Sequence, residues 1–158
     1  MAFAMTDGNR VSVGRGDRRR TPVDEVSRPA AAFATKLAVA VVDDDAMVRH
    51  AMCTLVRSLG YRARAHTGGS DLLAADLSHI GLVVSDLQMP EMNGLELHAR
   101  LQDNVGTIPF VLMTAFPAEA LRRRALAAGV DAVIDKPCDV DALATLIEEL
   151  VGPSEAPL

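Results

Sequence analysis

Short, unbroken apolar runs alternate along this chain with longer segments in which apolar residues return every third or fourth position. The runs are Leu37-Ala38-Val39-Ala40-Val41-Val42, Leu82-Val83-Val84, Phe110-Val111-Leu112-Met113 and Ala132-Val133-Ile134. A run without polar alternation predicts a strand buried on both faces, as in a parallel sheet covered by helices. Tyr61-Arg62-Ala63-Arg64-Ala65-His66 does alternate, which predicts a half-exposed edge strand. The helical rhythm predicts a helix over 46–59, with Val48, Met52, Leu55 and Leu59 as its stripe, Ala51 and Val56 beside it, and Arg49 and Arg57 outside. Further helices are predicted from Ser70 to Leu77, over 94–102 and 118–128, and from Asp139 or Asp141 to about 150. Gly60 and Gly129 stop two of them, and Asp103, Asn104 and Gly106 break a third. Strands alternating with helices at this spacing imply right-handed crossovers and a doubly wound α/β sheet.

In such sheets ligands bind beyond the carboxyl ends of the strands. Asp43, Asp44, Asp86, Thr114 and Lys136 all lie at those ends. Taken alone, Asp86 reads as a strand-end aspartate capping a turn, and Lys136 as a lysine on a solvated turn. Convergence on one rim changes both readings. A carboxylate emerging from a buried strand is costly unless a cation or hydrogen bonds meet it. Pro90 and Gly94 keep the loop after Asp86 from closing straight into a helix. Three carboxylates from two strands, with no Cys or paired His nearby, suit a hard, oxygen-seeking cation. Mg²⁺ fits best, held by few protein ligands and several waters. The Thr114 hydroxyl and the Lys136 ammonium would both help a group that arrives carrying negative oxygens. Together these parts are what phosphoryl transfer to an aspartate requires. Lys136 is one of only two lysines, with Lys36, against fourteen arginines, and it stands where a compact charge on a flexible stem is useful.

Composition narrows the setting. The 158 residues allow one domain of ordinary size plus tails, and with 49% apolar but only 3% aromatic residues the core must be built from Val, Leu, Ala and Met. Met47, Met52 and Met113 are expected as core fillers. No apolar run approaches a membrane span and no signal-peptide h-region opens the chain, so a cytoplasmic protein is expected. Cys53 and Cys138 fit reduced thiols, Cys53 within the core. His50, His66, His79 and His98 lack metal spacing and read as structural or solvated. Residues 1–36 have no sustained apolar period and are expected to be disordered, as is the tail 152–158. The net charge of −5 is uneven: residues 1–36 hold seven Lys/Arg against four Asp/Glu, so the remainder is strongly acidic, which argues against a sequence-independent grip on DNA. The Arg18-Arg19-Arg20 and Arg122-Arg123-Arg124 runs read first as solvated.

From about residue 37 to 151 the chain resembles the receiver domain of bacterial two-component response regulators. The resemblance rests on Val41-Val42-Asp43-Asp44-Asp45, Asp86-Leu87-Gln88-Met89-Pro90 through Gly94, Met113-Thr114-Ala115 and Lys136-Pro137. It implies a five-stranded parallel sheet of flavodoxin-like order 2-1-3-4-5 with helices on both faces. Asp86 would accept the phosphoryl group. Asp44, Asp86 and the backbone carbonyl of Gln88 would bind Mg²⁺ directly, Asp43 would hold the metal's waters, and Asp45 would be a bystander. Thr114 and Lys136 would bind phosphoryl oxygens, Ala115 would leave room for them, and Lys136–Pro137 would be a cis peptide. Gln88 and Phe116 stand where the family tunes aspartyl-phosphate lifetime.

Two residues depart from the family pattern. Val133 replaces the Tyr or Phe usual three residues before the rim lysine, so the aromatic readout cannot operate in that form. Cys138 replaces an apolar aromatic. The resemblance implies a sensor histidine kinase or histidine phosphotransfer protein as donor, a downstream protein as target, and a homodimer through the last two helices and fifth strand as one arrangement. It implies a phosphoacceptor rather than a turnover enzyme. Three readings compete with a stand-alone receiver: a receiver fragment of a longer DNA-binding regulator, DNA binding through the arginine-rich tail, and a haloacid-dehalogenase-like phosphatase in which Asp43 attacks and Asp45 is the acid/base.

Overall fold

The computed structural model describes residues 11–14, 37–116 and 118–154. Its strands are β1 (Val11–Val13), β2 (Ala38–Val42), β3 (Arg62–His66), β4 (Ile80–Asp86), β5 (Phe110–Thr114) and β6 (Ala132–Asp135). Its helices are α1 (Ala46–Ser58), α2 (Gly69–Leu73), α3 (Gly94–Val105), α4 (Glu119–Ala127) and α5 (Val140–Val151). The sheet runs β1-β6-β5-β4-β2-β3, with β2 to β6 mutually parallel. Counted alone, the five parallel strands have the expected order 2-1-3-4-5. The order reverses between β2 and β4, so a crevice opens at their carboxyl ends, where Asp43 and Asp86 stand.

Period-two alternation divides the strand residues between two cores. Ala38, Ala40, Val42, Val83, Phe110, Leu112 and Val133 face α2, α3 and α4, meeting Leu72, Leu97, Leu101 and Ala125. Val39, Val41, Leu82, Val84, Val111, Met113 and Ile134 face α1 and α5, meeting Cys53, Val56, Leu143 and Ile147. β3 is the half-exposed edge that its alternation predicted.

Several boundaries and faces differ from expectation, each for a local reason. Residues 11–14 are not disordered: β1 pairs antiparallel with β6, Ser12 opposite Val133, and the Gly14 N–H donates to the Asp131 carbonyl at 2.9 Å. The rest of 1–36, and 155–158, lie outside the described residues. In α1 the buried positions are Cys53 and Val56, whereas Val48 is exposed and Met47 is 83% exposed. The Asp45 carboxylate caps this helix by accepting from the N–H groups of Met47 and Val48 (2.9 and 3.1 Å), so its first turn overhangs the sheet's rim instead of covering it. α2 is shorter than predicted and is not capped by Ser70. Asp71 instead accepts from the Thr67 N–H at 2.9 Å, tying the turn before the helix. α3 continues through Asp103 and Asn104 and ends at Gly106, whose φ of 85° only glycine adopts readily. Arg122 is not solvated but 3% exposed, with its guanidinium donating to the Asp135 carboxylate.

Two positions expose the physics to test. Gly94 opens α3 behind the Asn93 cap, and its N–H donates to the Leu87 carbonyl at 2.9 Å. A Cβ there would lie 2.5 Å from Leu112 Cδ1 and 2.6 Å from the Asp86 carbonyl oxygen. Gly94→Ala should therefore cost about 1–3 kcal/mol by urea denaturation, because the overlap is partly with backbone that cannot yield cheaply. His66 ends β3 at 7% exposure, with Nδ1 3.5 Å from Asp71 Oδ2. Burial pushes its pKa below the ordinary 6.5, and Asp71 only partly opposes this. The unfolded chain takes up that proton first, so stability should fall as pH drops from about 7.5 to about 5.5. Urea titrations across that window should show the slope in wild type and a shallower one in His66→Gln.

Candidate functional site

The polypeptide leaves β2 at Val42, and Asp43 is buried immediately beyond it. The Asp43 N–H donates to the His66 carbonyl at 3.2 Å, its carbonyl accepts from Arg49 Nη1 at 2.7 Å, and its Oδ1 accepts from the Asp45 N–H at 2.9 Å. Asp44 is exposed at the rim, beside a cleft of about 200 Å³ that Gly68, Pro90 and Glu91 also line. Asp86 ends β4, half-buried, and the next N–H, of Leu87, donates to the Met113 carbonyl at 2.8 Å. Thr114 ends β5, buried, with Oγ1 accepting from the Phe116 N–H at 3.1 Å. Lys136 follows β6; its N–H donates to the Thr114 carbonyl at 2.8 Å, and its peptide bond to Pro137 is cis, as expected. Gln88 is exposed in the loop after Asp86.

The residues singled out at the strand ends thus share one rim. Lys136 Nζ lies 3.1 Å from Asp86 Oδ1 and 3.2 Å from Asp43 Oδ2. Oxygens of Asp43, Asp44 and Asp86 all lie within 4.8 Å of one another. Burial lifts the Asp86 pKa above the ordinary carboxylate value; the Lys136 hydrogen bond and charge oppose the rise, and Asp43 and Asp44 add to it. Burial works against the Lys136 ammonium too, but contact with Asp86 and then Asp43 overcomes it, and its pKa is raised. Three carboxylates facing one ammonium leave a surplus of two negative charges. A hard divalent cation with oxygen ligands fits that surplus. Asp45 spends its carboxylate on capping α1, which leaves the phosphatase reading without its acid/base.

Three features escaped the sequence reading. Arg49 holds the Asp43 carbonyl instead of lying idle outside α1. The Asp131 carboxylate accepts from the Phe110 N–H at 2.8 Å, tying the start of β5 to the turn before β6. Arg122 pairs with Asp135, and the signal for it was present: an aspartate finishing the apolar run Ala132-Val133-Ile134 needs a partner. Cys138 is half-buried, and burial, then Asp139, raises its thiol's pKa, so it is not an activated thiolate.

The family model described as "Response regulator receiver domain" matches residues 39–148. The chain belongs to the response regulator receiver family. It is 32% identical over 106 residues to the sensor histidine kinase RcsC of Escherichia coli, covering 66% of this chain and 11% of that protein. To the transcriptional regulatory protein FixJ of Bradyrhizobium diazoefficiens it is 32% identical over 123 residues, covering 77% of this chain and 60% of FixJ. Among solved structures, a response regulator receiver protein from Burkholderia phymatum is 38% identical, with a TM-score of 0.64 and coverage of 78% of this chain and 100% of that one. Vibrio cholerae CheY4, at 23% identity, shares the fold with a TM-score of 0.65, over 73% of this chain and 99% of that one. The receiver therefore spans only part of the curated relatives' length.

Receiver domains bind Mg²⁺ at an acidic pocket of this kind, and the surplus charge here predicts the consequence. Millimolar Mg²⁺ should raise the unfolding temperature of the wild-type receiver, since it binds the folded site and has no equivalent in the unfolded chain. The double variant Asp44→Asn, Asp86→Asn should show no such rise in differential scanning calorimetry.

Proposed function

We propose that Asp86 is the residue phosphorylated, by a sensor histidine kinase or a histidine phosphotransfer protein, and that its modification switches contacts with a downstream protein. The observation that carries this reading is the Lys136 ammonium, shared between Asp86 and Asp43 at the end of a crevice that is otherwise acidic. The Asp86 carboxylate attacks phosphorus, the bond from phosphorus to the donor imidazole nitrogen breaks, and its electron pair returns to that nitrogen. Lys136 neutralises a phosphoryl oxygen, and the Thr114 hydroxyl donates a hydrogen bond to another. Asp44, Asp86 and the Gln88 backbone carbonyl would hold Mg²⁺, and Asp43 would bind it through water. When bound, the cation neutralises charge on the transferring group. The group stays on Asp86 until water removes it, so the receiver is a switch rather than a turnover enzyme. No helix among the described residues is long and apolar enough to cross a membrane, which supports a cytoplasmic setting. Dimerisation through α4, α5 and β6 is one form the output takes in this reading.

A second reading is favoured by coverage of the relatives. The chain spans 57% of the tetrathionate response regulatory protein TtrR of Salmonella typhimurium and 60% of FixJ. It would then be the receiver part of a longer DNA-binding regulator, and the mass of the protein detected in cells by an antibody to this domain separates the two.

Acetyl phosphate with Mg²⁺ should add one phosphoryl group to wild type by intact-mass measurement and none to Asp86→Asn. Lys136→Met should slow labelling about tenfold or more, because the ammonium acts where charge develops. Labelling that survives in Asp86→Asn would overturn the assignment.

A further inference from the structure

β1 occupies the outer edge of β6, the strand that delivers Lys136. Edge strands fray and offer unpaired backbone groups; here the chain's own residues 11–14 fill that role. Two contacts tie β1 to the domain beyond its ladder. Gly14 sits so close to the turn before β6 that a Cβ would lie 3.0 Å from the Val130 carbonyl oxygen and 3.2 Å from Leu126 Cδ2. Ser12 Oγ lies 3.3 Å from Arg122 Nη1, and the other arm of the same guanidinium donates to Asp135. Ser12 is in register with Val133, and Val133 shares its strand face with Asp135 two residues on. The guanidinium thus bridges α4, the β1–β6 seam and the last residue before Lys136.

We propose that β1 is a working part of the receiver: through Ser12, Arg122 and Asp135 it positions Lys136 for the phosphoryl group. Arg122, Asp135 and Ser12 are positioning residues, since none of them touches Asp86. The chain of contacts is short. Asp135 is held by a fork that cannot lose its charge, Thr114 is its register partner on β5, and the next N–H, of Lys136, donates to the Thr114 carbonyl. Loosening the seam lets the end of β6 fray and with it the ammonium's placement between Asp43 and Asp86. To the extent that docked β1 also favours the occupied acceptor site at equilibrium, occupation tightens β1 by the same factor. The proposal rests on the phosphoacceptor reading of Asp86.

The test uses the full chain in wild type, Gly14→Ile and Asp86→Asn, with Ser12→Pro as a second way of undocking β1. Amide hydrogen exchange should find residues 11–14 and β6 protected in wild type and fast in Gly14→Ile or Ser12→Pro. Acetyl phosphate labelling measured against Mg²⁺ then separates rate from metal binding. We expect the maximal rate to fall roughly fivefold or more on undocking, with half-saturating Mg²⁺ unchanged, since no residue offered to the cation is altered. Arg122→Lys, which keeps the charge and loses the fork, should show the same split more weakly. Beryllium fluoride should slow exchange at 12–14 in wild type and not in Asp86→Asn. Fast exchange at β6 with labelling at the wild-type rate would overturn the positioning role and leave the phosphoacceptor reading standing. Unprotected amides at 11–14 in wild type would also overturn it. A wild type that never labels would remove the phosphoacceptor reading, and this proposal with it.

Discussion

The rest of the site depends on one ammonium held between two carboxylates. Lys136 lies within hydrogen-bond distance of both Asp43 and Asp86, and a third acid, Asp44, stands at the rim beside them. Opposite unit charges 4 Å apart attract by about 4 kcal/mol at an effective dielectric of 20. Withdrawing each ion from water costs several kcal/mol, so a buried pair of this kind is weak evidence of stabilisation. Stability therefore does not explain the cluster. Its acids outnumber its cation, and burial already pushes the Asp86 carboxyl towards its neutral form. A divalent ion has something to correct at this rim, and the fold alone does not.

The fold's contribution is to make that arrangement unavoidable. Parallel pairing puts the carboxyl ends of β2, β4, β5 and β6 on one edge, and the reversal of strand order between β2 and β4 opens the crevice. Short backbone links then hold the ends in register: Leu87 N–H to the Met113 carbonyl, and Lys136 N–H to the Thr114 carbonyl. Gly94 lets α3 begin directly against Asp86, because a side chain there would meet Leu112 and the Asp86 carbonyl. The backbone positions of these acids and of Lys136 are thus set at the ends of paired strands, which leaves the Lys136 side chain, the exposed Asp44 and the loop through Gln88 to adapt.

What could be read beforehand follows from how local each signal is. Doubly buried strands announce themselves as apolar runs, and the one or two polar residues that follow each run mark the rim, so Asp43, Asp86, Thr114 and Lys136 are legible. Helix phase was less so. The apolar stripe of α1 starts at Val48 in the sequence, yet that first turn is exposed, while Met52, Leu55 and Leu59 pack beside the buried Cys53 and Val56. Met47 looked like a core residue by type and proved exposed, because type says nothing about where the sheet stops beneath it. Residues 11–14 carry too little pattern to announce a strand. They are ordered by a ready-made edge on β6, which is tertiary information that no three-residue window contains.

The two buried ion pairs near the rim differ in a way that assigns them different work. Arg122 donates to Asp135, and Ser12 accepts from the other arm of the same guanidinium. A guanidinium cannot lose its proton, and its planar fork is suited to holding geometry. Lys136 is a compact charge on a flexible stem, already divided between two acids, and a change of partner costs it little more than a rotation. The fixed pair precedes the adaptable one by a single residue in the chain. In the proposed switch a phosphoryl group redistributes the contacts of Lys136, and the Asp135–Arg122 pair connects the end of β6 to the neighbouring helix. In the absence of the usual aromatic at Val133, this juxtaposition is the route we propose from Asp86 to α4 and the β6 edge.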